Sequence, residues 1–425
     1  MTTPRSGEGP APVVYVLAPQ FPWPPMDGGR IGICYRIREL ARLGYRVHLF
    51  ATAKVDEPVA ERTPLHDWCA SVTVVRRRAG AAALRAWLSL RPYQVTSRDV
   101  PELRAALRAM HEQDPADLVQ CEHSSMGVFR DIEVRGSVRW VLTFHNLEYR
   151  GAWYRARSAW TDPLRALLYA VEALRLWRYE TALVRSGRFD AWLFVSAREK
   201  EAMQRQARDT RAIFATVPSG TDIPSPPRVP RRPSAELLFL GSLWYDPNVA
   251  GLAWFLRSAW PLVRAAEPAA QLSVVGRGAT SHLDVGGVSR VRRLVKDAPG
   301  VTLVGEVPEI DSWLSRAAAV IVPVKHGAGI KIKVLEALAR GAVCVCTPQA
   351  LLGLELPDEP VALVADQPGQ FAAHCLAALR GEPTAQATAQ RGRQWVARQY
   401  SWQSVGRRLD AVYRQLLGRG GLVPA

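Results

Sequence analysis

Where a chain spends its lysines can show where it handles phosphate. This sequence holds six lysines against 49 arginines, and three of the six, Lys325, Lys331 and Lys333, fall within nine positions in "KHGAGIKIKVLEALARG". An ammonium is a compact, flexible point charge suited to phosphate, where a guanidinium is a rigid fork. The preceding "AVIVPV" reads as a buried strand and "HGAGIK" as the loop at its carboxyl end. A helix then runs from about Lys331 to Gly341. A loop carrying Gly327 and Gly329 into a helix N-terminus presents unpaired backbone N–H groups, an arrangement that holds anions. Cations are disfavoured there by roughly 0.3–1 kcal/mol each, so two lysines in the first turn imply a polyanion between them and the backbone. Glu336, set among Val334, Leu335, Ala337 and Leu338, offers a carboxylate to a pair of ribose hydroxyls. The plainer alternative is a Lys333–Glu336 ion pair on an exposed, solvated first turn, worth about a few tenths of a kcal/mol.

Two other strand–helix junctions repeat this logic. "MDGGR" places Gly28 and Gly29 where a loop opens a helix, and paired glycines let a backbone approach a ligand closely. "FLGSLWYDPN" places Gly241 and Ser242 at a strand end. Each is weak alone, and a plain turn explains either; the mirrored positions strengthen the set. "TFHNLEYR" puts His145 directly after a strand, where a histidine can exchange a proton with a reacting group or serve as a satisfied structural side chain. "VGRGATS" (275–281) is a broken Gly-x-Gly-x-x-Gly with Ser281 in place of the last glycine, so a dinucleotide fingerprint is absent, and there is no Walker-type loop. The stretch 164–185 mixes leucines, aromatics and arginines; it can lie on an anionic membrane surface, although a core-facing helix with a basic outer face is the simpler expectation.

The elements that must position these residues alternate strand and helix. Val13–Ala18, "RVHLFAT", "LVQC" (118–121), "RWVLTF" (139–144) and "AWLFVS" (191–196) read as strands, with a helix after "MDGGR" and a long one from about Asp162 to Arg185. Such βαβ units imply a parallel sheet with right-handed crossovers. Residues 217–235 hold seven Pro or Gly and read as a linker. The alternation then restarts through "ELLFLG", "QLSVVG", "VTLVGEV", "AVIVPV" and "AVCVCT". The expectation is an α/β chain of two Rossmann-like, doubly wound domains facing across a cleft: 1–222 completed by a terminal helix at about 404–425, a linker at 223–235, and 236–403. Ligands then belong at the carboxyl ends of the strands.

Composition narrows the partners. A 425-residue chain with 48% hydrophobic and 22% charged residues is globular. Its formal net charge of +16 suits a polyanionic small molecule or an anionic surface. No Lys/Arg block with interleaved aromatics argues for nucleic acid. The six cysteines are scattered, without a Cys-x-x-Cys pair, which argues against a disulfide framework and a zinc site; Cys344 and Cys346 share one strand face as core thiols. No run of about eighteen uncharged apolar residues spans a membrane. A cytoplasmic protein, with peripheral membrane contact as a further option, is expected.

With these residues read, the chain resembles a retaining GT-B glycosyltransferase of family 4, the older group 1, over nearly its full length. "PPMDGGR", "TFHNLEYR", "FLGSLWYDPNVAGLAWF", "VTLVGEVPEI" and above all "GAGIKIKVLEALARGAVCVCTPQALLGL" carry the resemblance, with "YSWQSVGRRLDAVYRQLL" similar to the terminal helix that packs back on the first domain of such enzymes. The resemblance implies transfer of a sugar from a nucleotide diphosphate sugar to an acceptor hydroxyl, with retention, without metal or other cofactor. On that reading Glu336 binds the ribose; Lys331, Lys333, Gly241, Ser242, Gly327 and Gly329 hold the donor's phosphates and sugar. Gly28 and Gly29 approach the same phosphates, and the backbone at Val307 meets the base. His145 sits near the transferred sugar, and Asn146 and Glu148 near the acceptor, which is a glycan, a lipid-linked molecule or a small natural product. His145, Lys333 and Glu336 are the catalytic candidates.

Two positions depart from the family's pattern. Ala328 stands where an earlier glutamate is common, and Ser242 and Asn248 replace a basic pair. The phosphate duty then falls on Lys331 and Lys333. Two rival readings stay open: a sugar-nucleotide epimerase of the same fold, for which no proton-shuttling carboxylate pair is evident, and a non-catalytic sugar-nucleotide or polyanion binder.

Overall fold

The computed structural model describes residues 10–78, 86, 88–133, 135–159, 162–208, 211–224, 234–278, 288–327 and 329–418. Residues 225–233 of the expected linker, Ala328, the last three residues of "VGRGATS" and the chain beyond 418 lie outside them. The chain divides into two compact units, Met1–Ser219 with Val405–Ala425, and Gly220–Ser404.

The first unit is built on seven strands: β1 (Val13–Ala18), β2 (Arg46–Lys54), β3 (Ser71–Arg77), β4 (Leu118–Glu122), β5 (Arg139–Phe144), β6 (Ala191–Phe194) and β7 (Ile213–Thr216). They run in the order β3-β2-β1-β4-β5-β6-β7, and every neighbouring pair is parallel. Strands covered on both faces read as unbroken apolar runs, as β1 does with all six residues buried. Sheet order reverses beside β1, so the loops after β1 and β4 flank the switch point where doubly wound folds bind ligands.

The helices carry their own signals. α1 (Gly28–Arg42) is capped by Asp27, whose side chain accepts from the Arg30 amide. The long helix expected from about Asp162 is present as α3 (Pro163–Arg185), started by an Asp162 cap with Pro163 at its first position, and an additional helix, α2 (Glu148–Ser158), precedes it to make a hairpin. α4 (Ala197–Gln204) begins at Ser196, whose hydroxyl accepts from the Glu199 amide. The outer face of α3 is not simply basic, since Leu164, Leu167, Leu168, Val171, Leu174 and Trp177 are exposed on it.

The second unit has six parallel strands: β8 (Glu236–Leu240), β9 (Gln271–Val275), β10 (Val301–Gly305), β11 (Ala319–Val322), β12 (Val343–Cys346) and β13 (Leu363–Val364). Their order is β10-β9-β8-β11-β12-β13, which repeats the reversal, here between β8 and β11. Alternate residues of β12 enter opposite cores: Val343 and Val345 join the cluster around Phe255 and Phe371, while Cys344 and Cys346 join that around Leu335 and Trp395. α5 (Asp246–Trp254) follows β8, α6 (Ile332–Ala339) follows β11, and α7 (Pro383–Gln399) packs against α6 and β12.

The last helix, α8 (Trp402–Leu416), passes from the second unit's residues to the first's. There Tyr45 Oη donates to Asp410 Oδ1 at 2.7 Å, Tyr413 Oη donates to Gln120 Oε1, and the ring of Tyr413 meets Tyr45 edge-on.

Close approach fixes α5 on its sheet. A Cβ at Gly251 would lie 2.5 Å from the Pro323 carbonyl oxygen, just beyond β11. Gly251→Ala is expected to push helix and strand apart and destabilise the second unit by about 1–3 kcal/mol, read by chemical denaturation.

Candidate functional site

The lysine loop of the second unit is pinned at nearly every residue. Lys325 Nζ donates to the Asp366 carbonyl at 2.6 Å and lies 3.9 Å above the Trp254 ring centroid, so this lysine turns away from α6. His326 Nε2 is 3.1 Å from Asp246 Oδ2, and Gln349 donates to the Gly327 carbonyl at 2.8 Å. Gly327 and Gly329 have φ of +117° and +72°, which L side chains rarely adopt. Lys331 is the N-cap of α6; it is buried and donates to the Gly329 carbonyl at 2.7 Å. No side chain caps α6; the Val334 amide donates to the Lys331 carbonyl at 2.9 Å, and the Ile332 and Lys333 N–H groups remain available to an anion.

Lys333 is the centre of this arrangement. Its Nζ donates to Asn248 Oδ1 at 2.7 Å and lies 5.0 Å from the Phe239 ring centroid. Asn248 in turn donates to the Ser242 carbonyl at 2.8 Å, tying lysine, asparagine and the Gly241–Ser242 strand end together. A Cβ at 241 would stand 2.6 Å from Lys333 Nζ and 2.7 Å from Asn248 Nδ2, so a side chain there would displace the ammonium and its partner. The expectation of an exposed first turn is corrected: Lys331 is buried and Lys333 half-buried. The alternative of a Lys333–Glu336 ion pair is corrected too, since Lys333 pairs with Asn248 and no carboxylate pairs with it among the described residues. Burial, with Lys331 alongside, pulls the Lys333 ammonium down to about 7.

Glu336 is half-buried one turn further on; its carbonyl accepts from Arg340 at 3.2 Å, while its carboxylate accepts no side-chain hydrogen bond among the described residues. Burial raises its pKa, opposed by Arg340 and Lys333. Arg340 itself is held by Asp311 at 2.6 Å. The helix therefore shows an ammonium without a carboxylate and a carboxylate without a donor. Val307, in the loop after β10, packs against the same core.

In the first unit the loop after β5 is clamped by buried carboxylates from three elements. Glu122, the last residue of β4, lies 2.6 Å from His145 Nε2 and accepts from Arg36 at 3.0 Å and from Gln120. Burial disfavours its charge, but Arg36 and His145 outweigh burial and hold its pKa at about 2. Burial lowers the His145 pKa, only partly offset by Glu122. A neutral ring beside an ionised Glu122 keeps its proton on Nε2 and leaves Nδ1 as an acceptor. Glu199 accepts from the Leu147 amide at 3.3 Å. Glu180, from α3, accepts from the Glu148 and Tyr149 amides at 3.2 and 3.4 Å and from Ser124 Oγ at 2.7 Å.

The side chain of Glu148 is already engaged, 3.0 Å from His123 Nε2. Burial opposes its ionisation, yet His123 and Gln94 bring its pKa to about 2. His123 follows β4 at the switch point with φ of +94°. Such strain in a non-glycine residue is kept only where its surroundings fix it. Asn146 is half-buried and makes no hydrogen bond among the described residues.

Comparisons with known proteins agree with this architecture. A family model described as "Glycosyltransferase Family 4" matches residues 26–224, and one described as "Glycosyl transferases group 1" matches residues 234–381. The chain belongs to the family 4, group 1 glycosyltransferases. A Klebsiella pneumoniae relative, named only as an uncharacterized 44.6 kDa protein in the cps region, is 23% identical over 85% of this chain and 90% of its own. Among solved structures, sucrose-phosphate synthase from Thermosynechococcus elongatus is 18% identical, covering 96% of this chain and 100% of its own at a TM-score of 0.67. Anabaena HepE, solved with UDP and glucose, is 12% identical over 93% of this chain and 98% of its own, with a TM-score of 0.63. The fold is GT-B.

The glycosyltransferase thus gathers Gly241, Ser242, Lys333 and the Gly327–Gly329 loop around one helix start, with Glu336 on the same helix. Gly28 and Gly29 form the first turn of α1, without positive φ, so close approach is what remains to recommend glycine there. Sequence reasoning missed Arg36, Glu122, His123, Glu180 and Glu199. Glu122 carried a signal, a charge ending the apolar run "LVQC". Glu180 carried another, a core-facing position three residues before Leu183 and four before Val184.

Glu180 makes the clamp sensitive to pH. Burial pushes its carboxyl up to about 8, against the bonds from Ser124 and the two amides. The native state then holds a proton that the unfolded chain releases, so this contribution to stability is full below about pH 4.5 and lost as pH rises to about 8. Denaturation of the glycosyltransferase and its Glu180→Gln variant at several pH values is expected to show the variant gaining on the wild type as pH rises through that window.

Proposed function

We propose that the enzyme takes a nucleoside diphosphate sugar, with UDP as the first nucleotide to test, and transfers the sugar to an acceptor hydroxyl with retention and without metal. HepE is solved with UDP and with UDP-glucose, which motivates the choice of base. The second unit holds the donor: the diphosphate at the start of α6 on Lys333 and the open N–H groups, the ribose on Glu336, the base beside Val307. His145 of the first unit offers Nδ1 to a hydroxyl of the transferred sugar, and Asn146 has the free polar group to meet an acceptor. Glu148, occupied by His123, orients the loop. The acceptor is a glycan, a lipid-linked molecule or a small natural product.

As the bond between the anomeric carbon and the diphosphate breaks, the electron pair leaves with the phosphate, while the acceptor oxygen bonds that carbon and passes its proton to an oxygen of the departing diphosphate. Charge builds on the departing diphosphate. A preorganised ammonium and helix N–H groups aimed at it lower the barrier. The observation that carries this reading is the half-buried Lys333 ammonium, which has Asn248 and no carboxylate as its partner among the described residues.

Thermal unfolding against a panel of nucleoside diphosphates and their sugars tests it. Selective stabilisation by one diphosphate and one of its sugars is expected, together with release of that diphosphate in the presence of acceptor. Binding without release under any acceptor would favour a non-catalytic binder. Lys333→Met is expected to weaken diphosphate binding by about 1.5–3 kcal/mol, the worth of a charged hydrogen bond, while leaving the ligand-free unfolding temperature no lower. A sharp fall in that temperature with unchanged affinity would make Lys333 a structural residue and defeat the proposal.

A further inference from the structure

The α2–α3 hairpin presents a surface that a water-facing helix has no reason to carry. On α3, Leu164, Leu167, Leu168, Val171, Leu174 and Trp177 are all exposed, with Leu164 67%, Leu168 62% and Leu167 60% accessible. Their spacing places them on one side of a helix of 3.6 residues per turn. The opposite side is the one the fold uses, through buried Ala173, Leu176, Glu180 and Val184. The neighbouring chain extends the patch: Leu88 and Leu90 are exposed, and the Tyr93 amide donates to Glu172 at 2.8 Å, holding that segment against the helix flank. On α2, Trp153 is exposed as well.

Charge around the patch is mainly positive. Arg165, Arg178 and Arg185 of α3 and Arg155 and Arg157 of α2 are exposed. The acids nearby are mostly engaged: Asp162, exposed, caps α3 by accepting from the Arg165 amide, Glu172 accepts from the Tyr93 amide, Glu180 is buried, and Glu148 is held by His123. An apolar stripe rimmed by arginines repels a second copy of the same face. It complements a surface whose interior is apolar and whose rim is anionic. None of the described helices is long and apolar enough to cross a membrane, so such a helix lies in the interface.

We propose that this face docks the enzyme on an anionic lipid bilayer, with the α3 leucines and Trp177 entering the acyl boundary and the arginines meeting lipid headgroups. The contact does not depend on which donor or acceptor is used. It places the acceptor chemistry at a membrane, where a lipid-linked acceptor is presented.

Flotation of the full-length enzyme with vesicles tests this directly. Vesicles of phosphatidylcholine containing phosphatidylglycerol are compared with phosphatidylcholine alone, at low and high salt. The wild type is expected to float with the anionic vesicles, at least tenfold more than with neutral ones, and less as salt rises. Leu168→Ser with Leu174→Ser is expected to abolish flotation while leaving the unfolding temperature and nucleoside diphosphate binding unchanged. Arg178→Gln with Arg185→Gln is expected to weaken it and flatten its salt dependence. Failure of the wild type to float on anionic vesicles overturns the proposal, as does undiminished flotation of the leucine variant. Loss of a dimer in the leucine variant, by light scattering and without any vesicle binding by the wild type, overturns it in favour of a second copy. Donor binding is read separately, so neither result bears on the glycosyl-transfer reading.

Discussion

The second unit is organised around a positive charge that no carboxylate among the described residues pairs with directly. Lys333 is half-buried against Phe239 and satisfied by a neutral asparagine. Desolvating an ammonium without a carboxylate costs stability. A fold keeps such a group when something else supplies the negative charge. The rest of the site follows from that constraint: Gly241 leaves room for the ammonium, Asn248 aims it, and positive-φ glycines bring the loop past it into an uncapped helix. Lys325 serves the opposite purpose, fastening the loop's far end through Asp366 and Trp254. A loop tied down on one side can hold the other in a ligand-ready form.

The first unit solves a related problem with the signs exchanged. Its loop after β5 exposes backbone N–H groups at a helix start, and the fold answers with its own carboxylates, Glu180 and Glu199. Helix starts of similar construction are thus closed from within in one unit and left open in the other. Glu122 does a third task, fixing which nitrogen of His145 carries its proton. The pairing of an ionised Glu122 with a neutral His145, and of an ionised Glu148 with a protonated Glu180, arises from burial working against specific partners.

Much of this is legible in the amino-acid sequence. Apolar runs and helical spacing place β1, β4, β5, β8, β11 and β12, because strands covered on both faces have no polar side to blur the signal. β3 and β7 escape notice since their residues are only half-buried, and β13 is two residues long. The Asp-Pro start of α3 is readable, whereas α2 before it, with no side-chain cap, is not. The lysine loop is visible from composition alone, in a chain that otherwise uses arginine. The partners of its lysines are not visible: Asn248 is 85 residues from Lys333, and Glu122 is 23 from His145, distances across which local pattern says nothing. The apolar outer stripe of α3 is hidden for another reason, since a helix with leucines on both sides does not declare which side is inside.

Calorimetry of UDP binding in two buffers of different ionisation heat most directly tests the uncompensated ammonium. An anion bound at Lys333 should draw its pKa up from about 7, so at about pH 8 binding is expected to take up close to one proton, and none in Lys333→Met. Tight UDP binding at that pH with no proton uptake, or with the same uptake in the variant, would contradict the account.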